Sequence, residues 1–297
     1  CFRNRFTESM SWRTVVISNV AKLDYQIGYL VVRGQETTRI HLNEIKTLII
    51  ESTAVSMTAY LLSELTKNKV KVIFCDEKRN PSSELLPCYG SHDTSLKLRN
   101  QIKWDEIRKK EVWTQIVKEK ILQQAALLQS LSKEEYRMLV SYAEEMEFGD
   151  ETNREGHAAK VYFNAMFGKQ FTRTEECPLN AALNYGYSIL LSMFNREIVS
   201  NGYLTQLGLF HENMFNPFNL ASDLMEPFRP IVDELVWKMK PECFETEEKR
   251  DILQMVNREV SIAGRREMLD NAVKIYCKSI FDVLEGNADA VIRFYEK

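Results

Sequence analysis

Three polar side chains in the C-terminal half of the chain carry the chemical signal. Each is set in a distinctive local stretch. Glu155 lies in Asn153-Arg154-Glu155-Gly156-His157-Ala158-Ala159-Lys160-Val161-Tyr162-Phe163. His211 lies in Gly208-Leu209-Phe210-His211-Glu212-Asn213. Glu226 lies in Ala221-Ser222-Asp223-Leu224-Met225-Glu226-Pro227-Phe228-Arg229-Pro230. Two carboxylates and an imidazole suit a divalent metal, and a metal beside a phosphodiester gives strand chemistry.

Taken singly, each residue also has an ordinary structural reading. Glu155 falls in the first turn of a helix that Asn153 can cap, where the dipole favours an acid. His211 follows an apolar run, and a lone histidine is most often a satisfied one. Asp223 and Glu226 are three apart, on one face if helical, and Asp-x-x-Glu also reads as a capping box. A carboxylate pair followed by Arg229 equally suits a metal-phosphate site. His41 alternates within a strand and His92 lies in a linker. His157 is two residues from Glu155 and points elsewhere on the helix.

Other chemistries are excluded by motif. No Walker loop, GxSxG elbow or HExxH occurs, and 11 glycines are too few for nucleotide-cradling loops. The six cysteines, at 1, 75, 88, 177, 243 and 277, form no CxxC pair. They read as buried thiols of a reducing compartment rather than zinc ligands.

Composition sets the frame. The chain has 297 residues, 44% of them hydrophobic and 27% charged, enough for one large domain or two ordinary ones. No apolar run approaches the roughly 20 residues that span a bilayer. Residues 1–9 are polar and precede Met10, so they read as an expression scar or a disordered extension of a cytoplasmic protein. The net charge of -3 argues against a uniformly basic DNA binder. Its distribution is uneven. Lys97 to Lys120 holds eight basic residues against four acidic, and Lys133 to Glu151 reverses the sign. A polarised surface can present phosphate contacts on one face, although both runs also fit ordinary solvated helices.

The elements that must position the three residues divide into two regions. Strand-like runs occupy Thr14–Ile17, Tyr29–Val32, Thr38–Leu42, Ile45–Ile50 and Val70–Phe74, with one helix between Ser56 and Lys67 and a loop at Asn80–Ser83. After Gly90 no strand run is expected. Helical spacing runs from Leu96 to Leu131 through Ile102, Ile107, Val112, Ile116 and Ile121. Further helices are expected at Arg154–Phe167 (stopped by Gly168), Leu179–Val199 and Ile231–Met239, with one or two more between Lys249 and Leu284. The fold class is α+β with segregated halves: a β-rich N-terminal domain over 10–95 and a larger helical domain over 96–297.

Taken together, the stretches Asn153–Phe163 and Ala221–Pro230 resemble the CRISPR-associated integrase family, the catalytic subunit of spacer acquisition. Ser11–Val16 and Val72-Ile73-Phe74-Cys75-Asp76-Glu77-Lys78-Arg79 resemble its type II form. The resemblance implies metal ligands at Glu155, His211 and Glu226, with Asp223 a secondary acidic position and Mg2+ or Mn2+ as cofactor. Arg154 and Arg229 are candidate DNA phosphate contacts. It implies a β-sheet dimerisation domain, a helical catalytic domain and a homodimer. Two such dimers would flank a small ferredoxin-like adaptation subunit in a heterohexamer on pre-spacer and leader-repeat DNA. The type II effector nuclease and a ring-shaped accessory protein are further expected partners, and no membrane is expected. The implied reaction is attack of a pre-spacer 3′-hydroxyl on a phosphodiester, with His211 either ligating metal or relaying a proton. A structure-selective nuclease on branched DNA, using the same residues, and a non-catalytic DNA-binding scaffold are the alternatives.

Overall fold

Runs of β-branched and aliphatic residues near the N-terminus pair into sheets, and longer segments without Gly or Pro coil into helices. In a computed structural model the described residues are 13–87 and 93–296. Residues 1–9, Ser11, Trp12, Cys88, Gly90 and His92 lie outside them, with the expectations placed there. The chain divides into two compact units, Cys1–Cys88 and Tyr89–Lys297.

The first unit comprises β1 (Arg13–Ile17), β2 (Ala21–Gln26), β3 (Tyr29–Arg33), β4 (Thr37–His41), β5 (Ile45–Ile50), β6 (Val55–Met57), α1 (Ala59–Lys67), β7 (Lys71–Cys75) and β8 (Pro81–Leu85). They form two sheets, ordered β1-β5-β7-β8 and β4-β3-β2-β6. In the first sheet β1, β5 and β7 are parallel, and β8 runs antiparallel along the edge. Strand β5 is almost wholly buried, as an inner parallel strand should be. Leu23, Leu30, Leu48, Leu61, Leu65 and Val72 pack into one core between these elements. The loop expected at Asn80–Ser83 is instead largely strand β8. Pro81 is tolerated as the first residue of an edge strand, where its missing N–H costs no inner ladder bond.

The second unit holds α2 (Thr94–Gln101), α3 (Glu106–Ser130), α4 (Tyr136–Glu144), α5 (Arg154–Phe167), α6 (Pro178–Ser200), α7 (Asn219–Leu224), α8 (Arg229–Met239) and α9 (Thr246–Leu253). A hairpin of β9 (Glu259–Ile262) and β10 (Arg265–Met268), then α10 (Leu269–Leu284) and β11 (Tyr295–Glu296), complete it. The periodic segment over 96–131 is broken before Glu106, where Asp105 caps α3 by accepting the Arg108 amide at 2.9 Å. Val112, Ile116 and Ile121 are buried as their spacing predicts. Ile102 and Ile107 are exposed, because they lie at the break and outside the inward stripe. Strands β9, β10 and β11 overturn the expectation of no strand after Gly90; β9 pairs antiparallel with both of the others. Helix α3 is the spine of the unit, packed against α4, α5, α8 and α10. Among the described residues no helix is long and apolar enough to cross a membrane.

Candidate active site

Glu155 is presented by the first turn of α5. Asn153 sits in the left-handed region at φ 52° and accepts the Gly156 amide at 3.2 Å. A β-carbon on Gly156 would lie 2.8 Å from the Asn153 side chain, so the small residue belongs to the cap. Asp150 accepts the amides of Arg154 and Glu155 at 2.7 and 3.1 Å. Asp150 and Asn153 together satisfy three of the orphan N–H groups at the helix start. The Glu155 carboxylate is left free to reach across to α3, where it accepts from Lys120 Nζ at 2.6 Å.

Glu226 opens a single 3-10 turn, Glu226–Phe228, between α7 and α8, and its side chain is buried. Lys120 Nζ stands 2.5 Å from Oε2, and Arg229 Nε donates to Oε1 at 2.8 Å. Burial alone would push this carboxyl up. Arg229 and Lys120 outweigh it and hold the group down at about 2. Burial likewise disfavours the Lys120 ammonium, and Glu226 and Glu155 reverse that and raise its pKa above the ordinary value.

His211 lies in the loop between α6 and α7. Its Nδ1 is hydrogen bonded to Asp223 Oδ1. Asp223 is fully buried on α7 and accepts three backbone amides as well: Leu209 at 2.6 Å, Phe210 at 3.1 Å and His211 at 3.3 Å. A β-carbon on Gly208 would fall 2.3 Å from His211 O and 2.8 Å from Asp223 Oδ2, so the loop closes over the carboxylate only with glycine there. The imidazole stands edge-on to Trp113 of α3, at 5.8 Å and 86°, and Phe210 stacks flat on the same indole at 4.6 Å. The Asp223 bond raises the His211 pKa against the opposing effect of partial burial, helped by the charges of Asp223, Glu226 and Glu155. With Nδ1 donating to Asp223, Nε2 is the ring nitrogen left for other chemistry.

The structure therefore brings Glu155 and Glu226 onto one ammonium and places His211 within their electrostatic reach. Asp223 is not the capping partner of Glu226; its oxygens serve the His211 loop. Arg154 pairs with Glu145 at 2.9 Å and lies over Tyr142. Arg229 pairs with Glu226 and lies 4.6 Å above the Tyr187 ring. Both guanidiniums are thus engaged with protein carboxylates. His157 turns toward Tyr142, and His41 accepts the Asn43 amide in the first unit. A cleft of about 690 Å3 opens beside His211, lined by Trp104, Lys109, Gln206, Asn213 and Phe215 among others.

Three residues that build the site and its surroundings escape sequence reasoning. Lys120 hides in a basic run, yet it follows Ile116 by four and Val117 by three, on the buried stripe of α3. A lysine on an inward stripe is the signal that marks it. Asp150 hides in an acidic run. Asp233 of α8 is buried and accepts from the phenols of Tyr162, at 2.8 Å, and Tyr187. Burial pushes its carboxyl up to about 6.

The donor set fits a hard divalent cation. Two carboxylates already share one cation position, and buried Glu226 Oε2 is faced by the ammonium of Lys120. Among the described residues no three acidic, histidine or cysteine side chains stand close enough to form a preassembled cage. Lys120 occupies the centre instead.

Comparison with known proteins gives the chain a family. The model of CRISPR associated protein Cas1 matches residues 14–260. The CRISPR-associated endonuclease Cas1 of Neisseria meningitidis serogroup C is 39% identical over 227 residues, covering 75% of this chain and 74% of that protein. A Cas1 endonuclease of Pyrobaculum aerophilum is 29% identical over 240 residues, covering 74% and 79%. Among solved structures, a casposase bound to integration product superposes with TM-score 0.79 at 18% identity, covering 94% of this chain and 92% of that one. A CAS1 protein from Thermotoga maritima gives 0.71 at 15%, covering 96% and 100%. With the family model spanning most of its length and this fold beneath it, the chain belongs to the Cas1 family of CRISPR-associated proteins.

Proposed function

We propose that this chain is the metal-dependent DNA integrase and endonuclease of CRISPR adaptation, in its type II form, joining pre-spacer 3′-hydroxyl ends into leader-repeat DNA. The observation that carries the reading is the convergence of two carboxylates from distant elements on one cation position beside an oriented histidine. Supporting it, the Neisseria relative is named an endonuclease, and the superposing casposase is bound to integration product.

Glu155, Glu226 and His211 Nε2 would hold Mg2+ or Mn2+, the carboxylates supplying hard oxygens and the imidazole a borderline nitrogen. Bound there, the ion would acidify the attacking hydroxyl and offset charge on the target phosphate. The 3′-oxygen forms a bond to phosphorus as the target's own P–O3′ bond breaks. The attacking hydroxyl loses a proton and the departing 3′-oxygen gains one. Diester count is conserved, so no energy source is needed. Asp223 fixes the His211 ring and its tautomer, acting as a positioning residue rather than a ligand, since three amides and Nδ1 already occupy its oxygens. Arg229 restrains the Glu226 carboxylate through Nε.

The same reading assigns the first unit to homodimerisation. It pairs the protein with a small ferredoxin-like adaptation subunit in a heterohexamer, with the effector nuclease and a ring-shaped accessory protein as further partners. A fold neighbour at TM-score 0.71 and 16% identity, over 95% of this chain and 36% of that one, is a Cas6-RT-Cas1–Cas2 complex.

The test is a strand-transfer assay. Protein, partner subunit, a 3′-hydroxyl duplex and a supercoiled leader-repeat plasmid are incubated with Mg2+ or Mn2+. A joined product is expected, and a 3′-deoxy end should abolish it. Nicking without any joined product under either metal would transfer the assignment to a structure-selective nuclease.

A further inference from the structure

Lys120 is the group that the proposed reaction does not use, although it sits at the centre of the site. It projects from the buried stripe of α3 and is itself buried. Its ammonium touches Glu155 Oε1 at 2.6 Å and Glu226 Oε2 at 2.5 Å, and so ties three separate elements together. Two carboxylates brought together by the fold without a cation between them would repel, at a cost that grows as water is excluded. The ammonium removes that repulsion. It also stands between the oxygens where a divalent ion would bind, and ion and ammonium cannot share the position.

We propose that Lys120 is a resident counter-ion of the metal site, holding Glu155 and Glu226 together in the metal-free protein and displaced, still protonated, when the divalent cation enters. The inference rests on the metal-site reading above. It makes Lys120 a competitor for the ion and a positioning residue of the empty site. The four-carbon stem lets the ammonium swing clear without moving α3. Arg229 stays on Oε1 and keeps Glu226 in place during the exchange.

The consequences oppose each other, which makes the idea testable. Lys120→Met removes the competitor, so Mn2+ should bind at least about tenfold tighter by titration calorimetry. The same substitution leaves two carboxylates facing each other, so the variant should melt about 5–10 °C lower in chelator. Saturating Mn2+ should recover most of that loss. Unchanged or weaker Mn2+ binding by Lys120→Met overturns the proposal. Glu226→Gln run in parallel keeps the two readings apart, because unaltered Mn2+ affinity in that variant defeats the metal-site reading itself. A measurement on the wild-type protein removes dependence on folding of the variants. Acetic anhydride labelling followed by peptide mass spectrometry should find Lys120 protected in chelator and modified severalfold faster with saturating Mg2+. Equal rates with and without Mg2+ would sink displacement.

Discussion

Glu226 and Asp233 are two buried carboxylates seven residues apart, one before α8 and one within it, and they lie at opposite electrostatic extremes. Glu226 is met by cations on both oxygens and is held at about 2. Asp233 is met by two neutral phenols, and burial lifts it to about 6. Burial is similar for both, so the charge of the partners decides the outcome. A carboxylate kept ionised against burial is a cation binder. One that spends its hydrogen bonds on phenols is a structural brace. The two are joined through Tyr187, whose hydroxyl donates to Asp233 while its ring carries Arg229, the partner of Glu226.

Replacing Glu226 by Gln breaks the first half of this contrast and has the largest expected effect. It leaves Lys120 and Arg229 without a shared anion, which should cost about 3–5 kcal/mol of stability by urea denaturation. On the proposed function, strand transfer should fall by about a thousandfold or more, since the proposed metal ligand and a charge partner are lost together. The pH signature follows from the depressed pKa. Stability from Glu226 is full above its unfolded value near 4.5 and is lost as pH falls toward 2. The Gln variant should therefore show a flatter acid limb; an acid limb as steep as wild type contradicts the cation-held carboxylate.

Asp233 carries the opposite sign. Its folded pKa is raised above 3.8, so the stability it contributes is full below that value and is lost as pH rises to about 6. Over that window the loss is roughly 3 kcal/mol, from about two pKa units. Asp233→Asn cannot ionise and should lack that decline, so the wild-type and variant stability curves should converge or cross between pH 4 and 6. Parallel curves across the window would show that Asp233 does not titrate there.

These two carboxylates also show what a sequence discloses. Helix α5 is legible because its cap Asn153 and its stop Gly168 are adjacent to it, and Glu155 follows from that frame. The sheet β1-β5-β7-β8 is legible from the apolar run in β5. Strand β8 reads as a loop because its proline and serines signal a turn, whereas its pairing with β7 is tertiary. Strands β9 and β10 are short and charged, with Arg265, Arg266 and Glu267 in one of them, and they become strands only through each other and Tyr295. Lys120 is hidden for the same reason. Its partner Glu155 is 35 residues away, and nothing local in α3 announces it. From its spacing to Glu226, Asp223 reads as a helix cap; in the fold its partners are the His211 ring and the amides of a loop that starts fourteen residues earlier.

Tyr187→Phe probes the joint between the two halves and has the smallest expected effect. The ring is retained, so Arg229 keeps its aromatic platform and Glu226 keeps Arg229. What disappears is one hydroxyl donor to Asp233. That donor favours the ionised carboxylate, so without it the Asp233 pKa should rise above about 6. Because a raised acid loses stability as pH climbs through its folded value, the declining window should extend toward neutral pH. At pH 7 the variant should be about 1 kcal/mol less stable than wild type, the ordinary contribution of one hydrogen bond. At pH 4, where Asp233 is largely protonated in either protein, the difference should shrink. Strand transfer should change less than in the Glu226 variant by orders of magnitude. If Tyr187→Phe instead reduces it as severely as Glu226→Gln, then the Asp233 brace and the cation site form a single functional network, and the contrast between a structural and a catalytic carboxylate is the wrong description of this helix.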